Sequence, residues 1–82
     1  LEIGAGAGIS RLFLGEFDVL RTDFLPWQEG NVIGAIDAQN LPYEEDSFDG
    51  VIGVDMIHHV EKPALLLNET IRVTKPGGVL VF

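Results

Sequence analysis

The chain has 82 residues, 13 acids against 5 bases, a formal net charge of −8 and no cysteine. That length holds one domain at most and buries only about 60–65% of its unfolded surface, so stability is marginal. Disulfide frameworks, thiolate zinc sites and cysteine nucleophiles are excluded within this segment, and the acidic balance argues against direct nucleic-acid binding or an anionic membrane surface.

Glycine and proline divide the chain into short apolar runs. All are far below the length of about 18 residues that spans a membrane. The chain opens on Leu1, with no signal-peptide pattern. Leu1 to Ile3 reads as the end of a buried strand. Ile9 to Gly15 is a short helix candidate, with Ile9, Leu12 and Phe13 on one face. Val19-Leu20, before Arg21-Thr22-Asp23, reads as a second strand and Asn31 to Ile36 as a third. Val51 to Val54 is a fourth, reached from the turn-rich Glu44-Glu45-Asp46-Ser47. Pro63 to Val73 is the clearest helix: proline suits its first turn, and Ala64, Leu67 and Ile71 recur at helical spacing. Lys75-Pro76-Gly77-Gly78 stops it and turns the chain. Val79 to Phe82 begins a fifth strand.

Strands alternating with helical crossovers specify an α/β fold with a mainly parallel sheet. One connection is short. Eight residues separate Asp23 from Val32, where a parallel crossover ordinarily takes about a dozen or more. Either that crossover shrinks to a turn of helix or the third strand lies elsewhere.

The strongest motif is Glu2-Ile3-Gly4-Ala5-Gly6-Ala7-Gly8, a glycine cluster after a strand and before a helix. Glycines there let backbone approach a ligand with no Cβ in the way; a glycine-rich tight turn is the plainer alternative. The dinucleotide fingerprint G-x-G-x-x-G/A fails, because it would need a small residue at Ile9 or at Arg11, and no Gly-Lys-Ser/Thr follows to make a P-loop. What remains, E-x-G-x-G-x-G, is similar to the first signature motif of class I S-adenosylmethionine-dependent methyltransferases. Other segments resemble that family in the same order: Asp37-Ala38-Gln39-Asn40-Leu41-Pro42, Ser47-Phe48-Asp49, the His58-His59 pair, and Arg72-Val73-Thr74-Lys75-Pro76-Gly77-Gly78, where Thr74 replaces the usual leucine.

The resemblance covers nearly the whole chain. It implies a Rossmann-like, mainly parallel sheet with flanking helices, truncated to strands one to five, and residues 1–82 as a partial cofactor-binding methyltransferase core. The cofactor implied is S-adenosylmethionine. Gly4, Gly6 and Gly8 would admit its methionine portion, with Glu2 orienting the loop or meeting the amino group. Asp23 would accept from the ribose hydroxyls; a solvated turn aspartate is the alternative. Phe24 would pack on the adenine or in the core. Asp37 would accept from the adenine amino group and the Ala38 N–H would donate to a ring nitrogen. Asp55, at the exit of the fourth strand, would lie beside the methionine end. His58 and His59 are candidates for a general base. As adjacent residues they do not face the same way, so a two-histidine metal site is not expected. Phe48 is expected as a core anchor.

A geometric argument independent of the family points the same way. In open α/β sheets ligands bind at the carboxyl ends of strands, near the point where strand order reverses. The glycine cluster, Asp23, Asp37 and Asp55 each follow an expected strand and so fall on one rim. S-adenosylmethionine carries a sulfonium and an ammonium but no phosphate, which suits a rim of acids. The expected reaction is methyl transfer to a small-molecule or lipid acceptor, in a cytoplasmic enzyme. The alternatives are a non-catalytic or incompletely folded fragment of such an enzyme and, less favoured, a nicotinamide-dependent oxidoreductase core. The family's sheet ordinarily continues beyond the fifth strand, which would here be an exposed edge.

Overall fold

The Leu1–Ile3 segment is the axis on which the sheet is built. In the computed structural model, which describes residues 1–6, 10, 18–25, 31–54 and 60–82, Glu2 bridges Arg21 on one side and Ile52 on the other, both in parallel. The Glu2 N–H donates to Leu20 O at 2.8 Å and the Thr22 N–H to Glu2 O at 2.9 Å; on the opposite side the Ile3 N–H donates to Ile52 O and the Ile52 N–H to Leu1 O, each at 2.9 Å. These bonds join two parallel pairs. Strand β1 (Arg21–Thr22) pairs with β2 (Val32–Ile33), and β3 (Phe48–Ile52) pairs with β4 (Thr74–Val81). The order across the sheet is therefore β2, β1, the Glu2 segment, β3, β4. The chain steps outward to one side, returns past its starting segment and continues on the other, and that reversal creates the switch point of an open α/β sheet. The expected parallel α/β arrangement is present.

Several boundaries differ from the expected ones. The second strand pairs at Arg21–Thr22 rather than Val19–Leu20, because the Glu2 N–H and C=O set its register and Leu20 contributes only its carbonyl. The third strand is confined to Val32–Ile33: Ala35 adopts φ 58° and bends the chain out of the ladder. It pairs with β1 as a parallel neighbour, despite the short connection. The fourth strand runs Phe48–Ile52 rather than Val51–Val54. Phe48 meets Tyr43 edge to face, ring centroids 5.3 Å apart, and both pack against the core.

Helix α1 (Pro63–Val73) has the expected boundaries, with proline in its first turn. The face it buries differs from the one marked by Ala64, Leu67 and Ile71. Leu66, Thr70 and Val73, at i, i+4 and i+7, are buried, whereas Ile71 is 60% exposed. Both sets have helical spacing, so periodicity alone could not choose between them. Leu66 and Val73 join Leu1, Ile3, Ala38, Leu41 and Val51 in the core.

The Lys75–Gly78 turn is taken inside a strand. Strand β4 begins immediately after the helix, at Thr74. Between the pairs Phe48–Thr74 and Gly50–Val79, β3 advances by two residues while β4 advances by five, so Lys75 to Gly78 form an excursion in the ladder. Gly77 takes φ 81° there. Gly78 is packed so closely that a Cβ would sit 2.7 Å from Asp49 O and 2.9 Å from Lys75 O. Val79 to Phe82 are exposed along the outer edge of β4. No described helix is long and apolar enough to cross a membrane.

Candidate functional site

A cleft of about 470 Å³ opens where the Glu2 segment, β1, β2 and β3 end, lined by Gly4, Asp23, Phe24, Ile36, Asp37, Ala38, Gln39, Val54, Val60 and Glu61. It lies at the carboxyl ends of the strands, beside the switch point, where the fold places ligands. A larger hollow of about 900 Å³ lies against Leu1, Leu20, Phe48 and Gly50. Its described lining residues include none of Gly4, Gly6, Asp23 and Asp37.

Five of the residues singled out from the sequence line the cleft: Gly4, Asp23, Phe24, Asp37 and Ala38. Asp23 leaves the end of β1 and holds the surrounding backbone in place. Its Oδ2 accepts from the Gly6 N–H at 2.8 Å and its Oδ1 from the Leu25 N–H at 3.1 Å. Gly6, with φ 56°, thus touches the cleft through this bond while standing outside its wall. Phe24 is 68% exposed, so it presents a free ring to the cleft and is not a core residue. Asp37 Oδ1 accepts from the Gln39 N–H at 2.9 Å, a local turn. The Ala38 N–H donates to no group among the described residues. Glu2 is placed elsewhere: it is 4% exposed and bonded to Ser10, and it is not among the described residues of the cleft wall. Gly8, Asp55, His58, His59 and most of the Ile9–Gly15 helix candidate lie outside the described residues.

Two devices that sequence reading missed position the Asp37 wall. Gln39 Oε1 accepts from the Lys62 N–H at 2.7 Å, tying this wall to the start of α1 and to Glu61 on the facing wall. Further along, Glu69 and Arg72 of α1 clamp the segment that follows. Glu69 Oε1 accepts from the Leu41 N–H at 2.8 Å, while Arg72 donates to Leu41 O at 3.0 Å and to Tyr43 O at 2.7 Å. Arg72 Nε also donates to Glu69 Oε2 at 2.7 Å. That hydrogen bond holds the Glu69 carboxyl below its usual range and raises the Arg72 guanidinium. The only sequence signal for these links was a polar residue inside each motif; their partners are 23 to 31 positions away.

The cleft carries the carboxylates of Asp23, Asp37 and Glu61, and no Lys or Arg among its described lining residues. Such a wall suits a cationic ligand and disfavours a phosphate-bearing one.

Comparison with known proteins decides the family. Residues 1–82 match the methyltransferase domain family across the whole chain. The chain belongs to that family. A 46-residue stretch is 44% identical to phthiotriol/phenolphthiotriol dimycocerosates methyltransferase 1 of Mycobacterium ulcerans, covering 56% of this chain and 17% of that protein. A stretch of the same length is 42% identical to norajmaline N-methyltransferase of Rauvolfia serpentina, covering 56% of this chain and 16% of that protein. Among solved structures, a SAM-dependent methyltransferase of Thermotoga maritima, described as a possible histamine N-methyltransferase, superposes with a TM-score of 0.70. It is 27% identical, over 98% of this chain and 41% of that one. The methyltransferase domain therefore spans well under two thirds of the relatives it matches.

Membership in this family, with the SAM-dependent neighbour, indicates S-adenosylmethionine as the cofactor and sets aside the nicotinamide-dependent reading. The donor set of the cleft fits that group. A carboxylate offers about four acceptor sites; Asp23 has spent two on backbone N–H groups. The Ala38 N–H supplies a donor beside the Asp37 carboxylate, matching the edge of an adenine, which presents an amino donor next to a ring-nitrogen acceptor.

Proposed function

We propose that the protein transfers a methyl group from S-adenosylmethionine to a small-molecule or lipid acceptor, and that residues 1–82 are the part of it that holds the cofactor. The observation that supports this reading is the convergence of Gly4, Asp23, Phe24, Asp37 and Ala38 on one cleft at the carboxyl ends of the strands. In this reading Asp23 accepts from the ribose hydroxyls, Phe24 covers the adenine, and Asp37 with the Ala38 N–H reads its polar edge. Gly4, Gly6 and Gly8 would leave room for the amino-acid end, and Asp55 is proposed to meet it. S-adenosylmethionine, when bound, supplies a methyl group already activated by its sulfonium. The protein's share is then to position the acceptor and to exclude water. A general base is needed only for an acceptor protonated at working pH, and His58 or His59 is proposed for that case. The small-molecule or lipid class rests on the names of the relatives, one acting on a mycobacterial lipid and one on an alkaloid. A cytoplasmic setting is proposed on the family resemblance alone.

Isothermal titration of the purified protein with S-adenosylhomocysteine, with NADH as the comparison ligand, tests the reading. Micromolar binding of S-adenosylhomocysteine, weakened by Asp37→Ala and not matched by NADH, is the expected result. A protein that is folded by circular dichroism yet binds neither, or prefers NADH, would overturn it.

A further inference from the structure

Glu2, which the family resemblance casts as orienting the glycine loop, shares a buried network with two side chains that have no role in the reading above, Ser10 and Arg21. Glu2, Ser10 and Arg21 are each less than a tenth exposed. Arg21 Nε donates to Ser10 Oγ at 2.6 Å, the Ser10 hydroxyl donates to Glu2 Oε1, and Arg21 Nε stands 3.7 Å from that same carboxylate oxygen. Thr22, next along β1, donates its hydroxyl to Glu2 O at 2.8 Å. Removing an arginine and a glutamate from water is costly, and well-packed apolar residues often serve stability as well or better. Net stability is therefore a weak explanation for a buried pair bridged by a serine hydroxyl. What such a network does supply is directional geometry, since the guanidinium, hydroxyl and carboxylate satisfy one another in only a few arrangements.

The placement of the network tells what it positions. Arg21 and Asp23 are two residues apart along one extended segment, so they project to the same side. Both reach the N-terminal segment: Asp23 through the Gly6 N–H at 2.8 Å, Arg21 through Ser10. Gly6 and Ser10 are thus each held from the β1 segment, Gly6 beside the cleft and Ser10 in the interior, and Glu2 closes the inner contact. We infer that Arg21 is a positioning residue, which through Ser10 and Glu2 sets the position of the Gly4–Gly6 backbone at the cleft and so how the amino-acid end of the ligand fits. The inference rests on the S-adenosylmethionine reading of that cleft.

A loop-positioning role makes a prediction that a general structural role does not. S-adenosylhomocysteine carries the amino-acid end; 5′-methylthioadenosine keeps the adenine, ribose and sulfur but lacks it. Ser10→Ala removes the bridging hydroxyl and leaves Arg21 free to meet Glu2 directly. The affinity of Ser10→Ala for S-adenosylhomocysteine is expected to fall on the order of tenfold, while that for 5′-methylthioadenosine moves by less than about twofold. Ser10→Thr, which keeps the hydroxyl, is expected to retain both affinities. Equal loss for the two ligands, or no loss for either, overturns the inference. If circular dichroism shows Ser10→Ala unfolded, the comparison moves to Arg21→Lys, which keeps the buried charge but lacks the guanidinium Nε; the same selective loss is expected there, and the same uniform result refutes it. A folded wild-type protein that binds neither ligand overturns the cofactor reading and this inference together, a result distinct from uniform loss in a variant.

Discussion

Replacing Asp23 by asparagine preserves shape and tests charge and acceptor count together. In the native chain the two carboxylate oxygens accept from different backbone N–H groups, Gly6 at 2.8 Å and Leu25 at 3.1 Å. An asparagine has one acceptor oxygen and an amino group that only donates. It can keep one of these bonds, and its amino group then faces the other N–H. Keeping the shorter bond, to Gly6, abandons the one to Leu25. A hydrogen bond to a charged group contributes about 1.5–3 kcal/mol. Asp23 is half-buried, so water recovers part of the loss and about 1 kcal/mol of stability should go. With a urea slope of about 1 kcal/mol/M for a chain this small, the unfolding midpoint should fall by about 1 M. The ligand loses more. The carboxylate has two acceptor positions left for a ribose diol, whereas the asparagine oxygen has one, without charge. Loss of one charge-assisted bond raises the Kd for S-adenosylhomocysteine about tenfold or more. Urea unfolding followed by circular dichroism and isothermal titration measure the two effects separately. A folded Asp23→Asn variant with unchanged affinity would refute the ribose role, whatever its midpoint.

Three further outcomes follow from the packing. Gly78→Ala forces a methyl against Asp49 O and Lys75 O and should cost about 1–3 kcal/mol; Gly77→Ala meets open space and carries only the strain of φ 81°, about 1 kcal/mol. Urea midpoints in the reverse order would contradict the described Lys75–Gly78 excursion. Leu66→Ala, at a fully buried position, should cost about 2–5 kcal/mol, a large share of the stability of a small domain, whereas Leu67→Ala on the exposed side should cost much less; thermal melts that rank them the other way would show that α1 buries the opposite face. The Glu69 carboxyl is held below its ordinary value of 4.5 by Arg72. Its contribution is therefore complete above that value and is lost as pH falls through the lower folded-state value. Glu69→Gln should be less stable than wild type near neutrality, and the gap should narrow under acid; a gap independent of pH would remove Glu69 from the acid response.

Much of the fold was legible because local rules coincide with it. The helix at Pro63–Val73 carries its own start and stop signals, and the alternation of strand and helix leaves few topologies besides a parallel sheet. The cleft was legible too, since residues just after parallel strands share one rim by construction. Strand registers were less accessible. Val19-Leu20 is a better strand sequence than Arg21-Thr22, yet pairing falls on the latter, because a register is a relation between two segments and Glu2 supplies the partner groups.

The sequence by itself determined the order of elements and the residues that follow each strand, which depend on composition and spacing along one chain, and its ordered motifs carried the family resemblance that the family match bears out. Tertiary structure decided which face of α1 is buried, where β2 ends, and that the Lys75–Gly78 turn is an excursion within β4. It also decided that Glu2 is buried in a network with Ser10 and Arg21, and that Gln39, Glu69 and Arg72 hold the Asp37 wall. Most of these are contacts between residues apart in sequence. A hydrogen bond or a buried face is selected by what stands opposite, and only the folded chain brings that partner into place.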